Sequence, residues 1–197
     1  HGKLDLAGAV EHSCNCYFAQ LSVKLGSKKL KETAERFGFN TQWDFSDIAL
    51  YKSNFEVSNS DGDLAWAGIG QYNDLVTPMH ACMIAGAIAN DGQMMTPKLL
   101  YRSTNEDGIQ TYSLKSEVYT RVTDTATART VKEYMKNVVK RGTGTSAAVS
   151  GMDIGGKTGT AEYVDADTGE VKNHSWFIGF IDDEKQPYCV AVIFEGA

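Results

Sequence analysis

Apolar positions along the chain recur with a helical period in four stretches. From Asn15 to Leu25 they fall at Tyr17, Phe18, Leu21 and Leu25, and Gly26 stands where a C-terminal cap belongs. A second stretch carries Leu30, Ala34 and Phe37 on one face, with Ser27 as its expected N-cap and Gly38 as its end. The third opens at Thr77-Pro78, proline taking the first helical position, and closes at Asn90-Asp91-Gly92. Its interior is apolar nearly all round, which predicts a central, buried helix. The fourth covers residues 125–140, with Val131, Tyr134/Met135 and Val138/Val139 as its stripe and Gly142 as its end.

Late in the chain the pattern changes to β-rich runs at 155–164, 175–181 and 188–194, separated by polar turns at 165–169 and 182–185. Two short connections in succession predict an antiparallel meander, because a parallel crossover needs a dozen or more residues. A smaller hairpin is expected to join 98–103 to 109–114 around Asn105-Glu106-Asp107-Gly108, and residues 40–63 read as long loops with short helical turns. Helices first and a terminal antiparallel sheet afterwards means an α+β fold.

Composition narrows the class of protein. At 197 residues, 42% apolar and 22% charged, the chain has the length and make-up of about one globular domain. Nineteen basic against twenty-five acidic side chains leave a net charge of −6, with no basic stripe, which excludes nucleic acid as the expected partner. The longest apolar run, residues 81–89 counting Gly86, is far short of the ~20 residues a bilayer crossing needs. Opening on His1 and stopping just after an apolar run, the chain reads as an excised part of a longer protein. Of the four cysteines, Cys14-x-Cys16 lacks the second clustered pair of a zinc site, so Cys14, Cys16, Cys82 and Cys189 are expected to be buried free thiols. No metal-ligand cluster appears, and no cofactor is implied.

Two short motifs carry candidate chemistry, and a third is a trap. Residues 151–158 fit the phosphate-binding pattern GxxxxGK[ST] letter for letter. That loop works only where a helix leaves it, and what leaves here is the β-prone run 159–164. The same residues make better sense as a strand edge. Lys157-Thr158-Gly159-Thr160 presents an ammonium and two hydroxyls on alternating positions, with Gly159 clearing space for a ligand's backbone. Such an edge suits a carboxylate, each charge-assisted hydrogen bond contributing ~1.5–3 kcal/mol. Ser13-Cys14-Asn15 opens the first amphipathic helix, where serine and asparagine ordinarily serve as caps. The chemical alternative is a proton-passing hydroxyl beside an amide that holds a substrate carbonyl. Histidine catalysis finds no support: His12 adjoins Ser13 but helical neighbours do not face each other, no Gly-x-Ser-x-Gly elbow occurs, and His80 and His174 read as structural. Glu11, Asp153, Glu162 and Asp165 show no spacing for paired-carboxylate work.

Taken together, Ser-x-Asn at 13–15 and Lys-Thr-Gly at 157–159, 144 residues apart, resemble the transpeptidase domain of class B-like, high-molecular-weight penicillin-binding proteins. Arg141-Gly142-Thr143-Gly144-Thr145-Ser146-Ala147, Gly68-Ile69-Gly70-Gln71 with Thr77-Pro78, 87–92 and Ser175-Trp176-Phe177-Ile178-Gly179-Phe180 extend the likeness over almost the whole chain. The resemblance implies the penicillin-binding-protein/serine β-lactamase fold, a helical subdomain beside an antiparallel sheet, with the sheet incomplete here. Residues 1–197 would be the C-terminal part of that domain, anchored through an upstream helix at the outer face of the bacterial cell membrane. The implied reaction is attack by a serine on a D-Ala-D-Ala stem peptide, giving an acyl-enzyme that a second strand's amine resolves and that β-lactams mimic. Ser13 would relay the proton, Asn15 would hold the donor amide, and Lys157 would set the potential of the cleft. Thr158 and Thr160 would bind the terminal carboxylate, and the Thr160 N–H would be one of two oxyanion donors.

One element of that pattern is missing. The family's nucleophile lies in Ser-x-x-Lys, and none of the thirteen serines here has lysine at the third following position. The resemblance therefore implies that this polypeptide alone neither acylates nor transfers. Two other readings stand beside it: a serine β-lactamase or β-lactam sensor, which shares the motifs, and a non-catalytic scaffold that binds peptidoglycan or divisome proteins.

Overall fold

The computed structural model describes all residues except Asp47, Tyr72 and Ala197. Among the described residues, six α-helices occupy Leu6–Glu11 (α1), Asn15–Leu25 (α2), Ser27–Arg36 (α3), Asp61–Ala67 (α4), Pro78–Ala89 (α5) and Thr125–Arg141 (α6). Seven strands follow or interleave: Gln93–Met95 (β1), Arg102–Thr104 (β2), Gln110–Ser113 (β3), Val118–Arg121 (β4), Ile154–Val164 (β5), Val171–Ile181 (β6) and Cys189–Phe194 (β7). The terminal meander forms as its turns require, an antiparallel sheet in the order β5-β6-β7. The expected hairpin is β2-β3, and β1 pairs with β4 in a third small sheet.

Local chemistry sets the helix limits. Thr77 accepts the His80 N–H and Pro78 takes the first position of α5, while Asp124 accepts the Thr127 N–H at the start of α6. Ser27 does not cap α3 as its sequence position suggests. Gly26, at φ +79°, fills that place, and the Ser27 hydroxyl bonds the Asn59 side chain instead. Helix α1 has too few residues to show a period, yet Asp5 caps it by accepting the Gly8 N–H at 2.8 Å. Residues 151–158 run straight into β5, so the phosphate-loop pattern has no helix behind it.

Helix α5 lies between two packed clusters. One joins Met83 and Ala87 to Trp43, Met94 and Val122, and the other joins Ile88 to Met135 of α6 and Phe180 of β6. Phe180 is 1% exposed, and its cross-strand partner is Gly155. A Cβ at 155 would come within 2.3 Å of the Phe180 ring, so the ring occupies the space a side chain would take. His80 is also core, held by Ser53 Oγ at 2.7 Å and the Phe37 carbonyl at 2.8 Å. The thiols differ from expectation: Cys14 is buried and Cys82 only partly so, while Cys16 and Cys189 are exposed, Cys16 on the surface of α2 and Cys189 on an edge strand. The Cys189 sulfur nevertheless rests against α5 at Gly86, and burial, reinforced by Cys82, pushes its thiol up to about 11.

Helix α6 is fastened to the sheet by charge. Lys136 of α6 is buried and contacts Asp153 at 2.9 Å, Glu133 at 3.1 Å and Asp182, while Lys132 reaches Asp182 at 3.1 Å. Burial alone would lower the Lys136 ammonium, but the bonds to Asp182, Asp153 and Glu133 outweigh it and hold the group above the ordinary amine range. The partly hydrated carboxyls of Asp153 and Asp182 are held below their usual range, the bond to Lys136 overcoming the upward effect of burial. Replacing Lys136 with Met is expected to destabilise the chain by about 2–3 kcal/mol in urea unfolding, less than a fully buried pair because both aspartates reach water. The sign with pH follows from the depressed carboxyls: the unfolded chain binds more protons below pH ~4, so this contribution fades as acid titrates Asp153 and Asp182. The substitution should flatten that acid limb.

Candidate active site

The chain breaks sharply between α1 and α2. Ser13, at φ +50°, sits in the break with its N–H on the Val10 carbonyl, and Cys14 takes the N-cap position of α2 without a side-chain bond. The Ser13 hydroxyl is therefore not spent on capping. It accepts a hydrogen bond from Lys157 Nζ at 2.8 Å, joining residues 144 positions apart. Asn15 opens α2 two residues later with an exposed side chain.

Lys157 comes from β5, where its cross-strand partner is Ile178, one alternation from the Gly155–Phe180 pair. It thus projects from the sheet face that packs on the helices. Its Nζ also donates to the Thr158 carbonyl at 2.7 Å, and no carboxylate pairs with it among the described residues. Burial lowers its pKa from the ordinary lysine value. A half-buried, uncompensated ammonium bonded to a hydroxyl both attracts an anion and can exchange a proton with its neighbour.

The threonines stand on the same edge. Thr158 Oγ1 lies 2.7 Å from Thr143 Oγ1, in the turn after α6. Thr160 is exposed, and its carbonyl accepts Gln71 Nε2 at 3.3 Å. Gly159 is exposed too, and a Cβ there would press on the Trp176 Cβ at 3.2 Å. The structure thus joins Ser13 directly to Lys157, while the Thr158 and Thr160 side chains alternate to the other face of β5 and Asn15 opens the adjoining helix.

A clamp that motif reading passes over positions both halves. Glu11, buried at the end of α1, receives Arg141 Nε at 2.8 Å, and its carbonyl accepts the Thr143 N–H at 3.2 Å. Gly142 lets this contact close, since a Cβ there would lie 2.4 Å from the Glu11 carbonyl oxygen. Glu11 precedes Ser13 by two residues and Thr143 touches Thr158, so one junction sets the distance between hydroxyl and strand. The nearest sequence signal was the 141–147 stretch itself. His12 stacks on His1 rather than on Ser13, and His174 stacks on Tyr163. Among the described residues no group of three or more histidines, cysteines or carboxylates could hold a metal ion.

The sequence profile of the penicillin binding protein transpeptidase domain matches residues 1–197. The chain is 29% identical over 98% of its length to peptidoglycan D,D-transpeptidase PbpA of Mycolicibacterium smegmatis, and 30% identical over 98% to stage V sporulation protein D of Bacillus subtilis. It spans 39% of the first relative and 30% of the second. It superposes with a TM-score of 0.88 and 34% identity on the D,D-transpeptidase domain of a peptidoglycan glycosyltransferase from Eggerthella lenta, covering 100% of this chain and 50% of that one. Penicillin-binding protein A from M. tuberculosis, solved as its penicillin G acyl-enzyme complex, matches with a TM-score of 0.88 and 27% identity, over 100% of this chain and 43% of that one. The mixed helix and sheet architecture expected from sequence is the fold of these structures.

Proposed function

This chain belongs to the penicillin-binding protein transpeptidase family, and from that premise we propose that it supplies the Ser-x-Asn and Lys-Thr-Gly side of a peptidoglycan D,D-transpeptidase site. The observation that supports the reading is the 2.8 Å bond between Lys157 Nζ and Ser13 Oγ, a direct contact between residues of the two motifs. The nucleophile belongs to a Ser-x-x-Lys segment of the parent polypeptide, since no serine of this chain has that spacing. Residues 1–197 are then the C-terminal part of the catalytic domain.

The reaction uses these side chains in order. The donor's terminal carboxylate meets Thr158 and Thr160 in the positive field of Lys157, and Asn15 holds the donor's amide. Attack by the parent's serine on the penultimate D-Ala carbonyl builds an oxyanion, for which the Thr160 N–H is one donor, a contribution of ~3–4 kcal/mol when well placed. Ser13, coupled to Lys157, passes a proton to the leaving D-Ala amine, and the acceptor strand's amine then resolves the acyl-enzyme. A β-lactam enters as donor mimic and stalls at the acyl-enzyme. The site works at the outer face of the bacterial cell membrane, beside other cell-wall synthesis proteins.

Ser13→Ala in the parent polypeptide tests the relay. Its acylation rate by a fluorescent penicillin, followed by stopped flow, is expected to fall about 100-fold, the lower range for losing a proton-transfer group. A rate within twofold of the unsubstituted protein would remove Ser13 from the mechanism.

A further inference from the structure

Thr158 and Thr160 lie two positions apart on β5, and each backbone carbonyl accepts a side-chain donor, from Lys157 at 2.7 Å and from Gln71 at 3.3 Å. Residues two apart in a strand point their N–H and C=O groups the same way. Both carbonyls therefore open on the edge of β5 away from β6, the strand it pairs with among the described residues. Such an edge is a template for an added extended segment, whose backbone N–H groups need its carbonyls as acceptors. Gln71 already occupies one of them.

The position of Gln71 is fixed by the turn that follows α4. Gly68 packs on α2 so closely that a Cβ would fall 2.2 Å from Ser22 Oγ, and that hydroxyl bonds the Leu64 carbonyl at 2.6 Å. Gly70, at φ +76°, then turns the chain toward the sheet. The turn is rigidly seated on the helical side, whereas the side chain that crosses to β5 makes one neutral, solvent-facing hydrogen bond at 3.3 Å. A bond of that kind holds an acceptor in place and is readily exchanged for a better donor.

We propose that Gln71 is a gate on the donor-binding edge: it caps the Thr160 carbonyl in the open cleft and is displaced by a backbone-like N–H of the incoming donor. The gate rests on the transpeptidase reading and adds a selectivity to it. Ligands that present an N–H beside the scissile carbonyl replace the Gln71 bond, and ligands without one leave it in place. Gln71 acts through Thr160 and is a positioning residue.

The test compares two β-lactams on the parent polypeptide. Penicillin G carries an acylamino N–H next to its lactam carbonyl, and imipenem carries a hydroxyethyl group there. In Gln71→Ala, and in Gln71→Met, which keeps the bulk without the donor, the ratio of acylation rates for penicillin G over imipenem is expected to rise about three- to tenfold, the factor equivalent to one net hydrogen bond. A merely structural role for Gln71 would slow both compounds together, so an unchanged or lowered ratio overturns the gate. A parent that neither compound acylates overturns the transpeptidase reading and the gate with it.

Discussion

The 197-residue chain by itself is expected to stay unlabelled by a fluorescent penicillin under conditions that label the parent polypeptide to completion. Serine and lysine three residues apart share one helix face, which sets the amine against the hydroxyl it deprotonates. None of the thirteen serines here has that neighbour, and Ser13 is followed at the third position by Cys16. The outcome carries risk because Ser13 does touch a lysine, with Lys157 Nζ at 2.8 Å from its hydroxyl. What separates it from a nucleophile is its proposed place in the reaction, as the hydroxyl that hands a proton to the leaving amine. Loss of a nucleophile removes about 10⁶ in rate, which leaves no covalent adduct on any practical time scale. The check is in-gel fluorescence with intact-protein mass spectrometry. An adduct mapped to Ser13 would reverse the assignment and make Ser13 and Lys157 the nucleophile and base.

Lys157→Met in the parent polypeptide is expected to lower penicillin acylation about 10³- to 10⁴-fold. Two contributions combine: the charge-assisted attraction of the substrate carboxylate, ~1.5–3 kcal/mol, and the proton relay, ~10²- to 10⁴-fold alone. They overlap because the proposed relay runs through both Ser13 and Lys157, so the total lies below their product. Lys157→Arg separates them. Arginine keeps the positive charge but does not release a proton, so weak binding should be partly restored while the acylation step stays slow. The pH profile gives an independent reading. Burial lowers the Lys157 ammonium, and the proposed role needs the ammonium form, so the rate should fall on the alkaline side at a lower pH than an ordinary lysine would give. The Met variant should lose that limb.

Elements with a sustained period were legible and those without one were not. Helix α2 declares itself by apolar spacing ended at Gly26, α5 by its Thr77-Pro78 start and unbroken apolar run, and α6 by a stripe that ends at Gly142. The meander follows from turn length alone. By contrast, α1 and α4 hold six and seven residues, and β1 and β4 hold three and four, too few positions for a period to stand out. Strand β6 begins at Val171, earlier than its composition suggests, because pairing with β5 continues to the Val164–Val171 rung and draws polar Lys172 and Asn173 into the ladder. Ser27 lost its capping role to a neighbour, Gly26, whose conformational freedom no side-chain rule weighs.

At the site the division is the same. The order of residues determined the chemical vocabulary: a hydroxyl and an amide at a helix start, an ammonium and two hydroxyls on a strand edge, and no serine with lysine in the third place after it. Tertiary packing decided which of these meet. The Ser13–Lys157 contact, the Glu11–Arg141 clamp and the Gln71–Thr160 bond span 144, 130 and 89 positions. Local pattern records only which side chains share a face within a few turns of chain. Contacts at such separations exist because α5 and α6 bury Phe180, Ile88 and Met135 together, which fixes where the helix starts stand against β5.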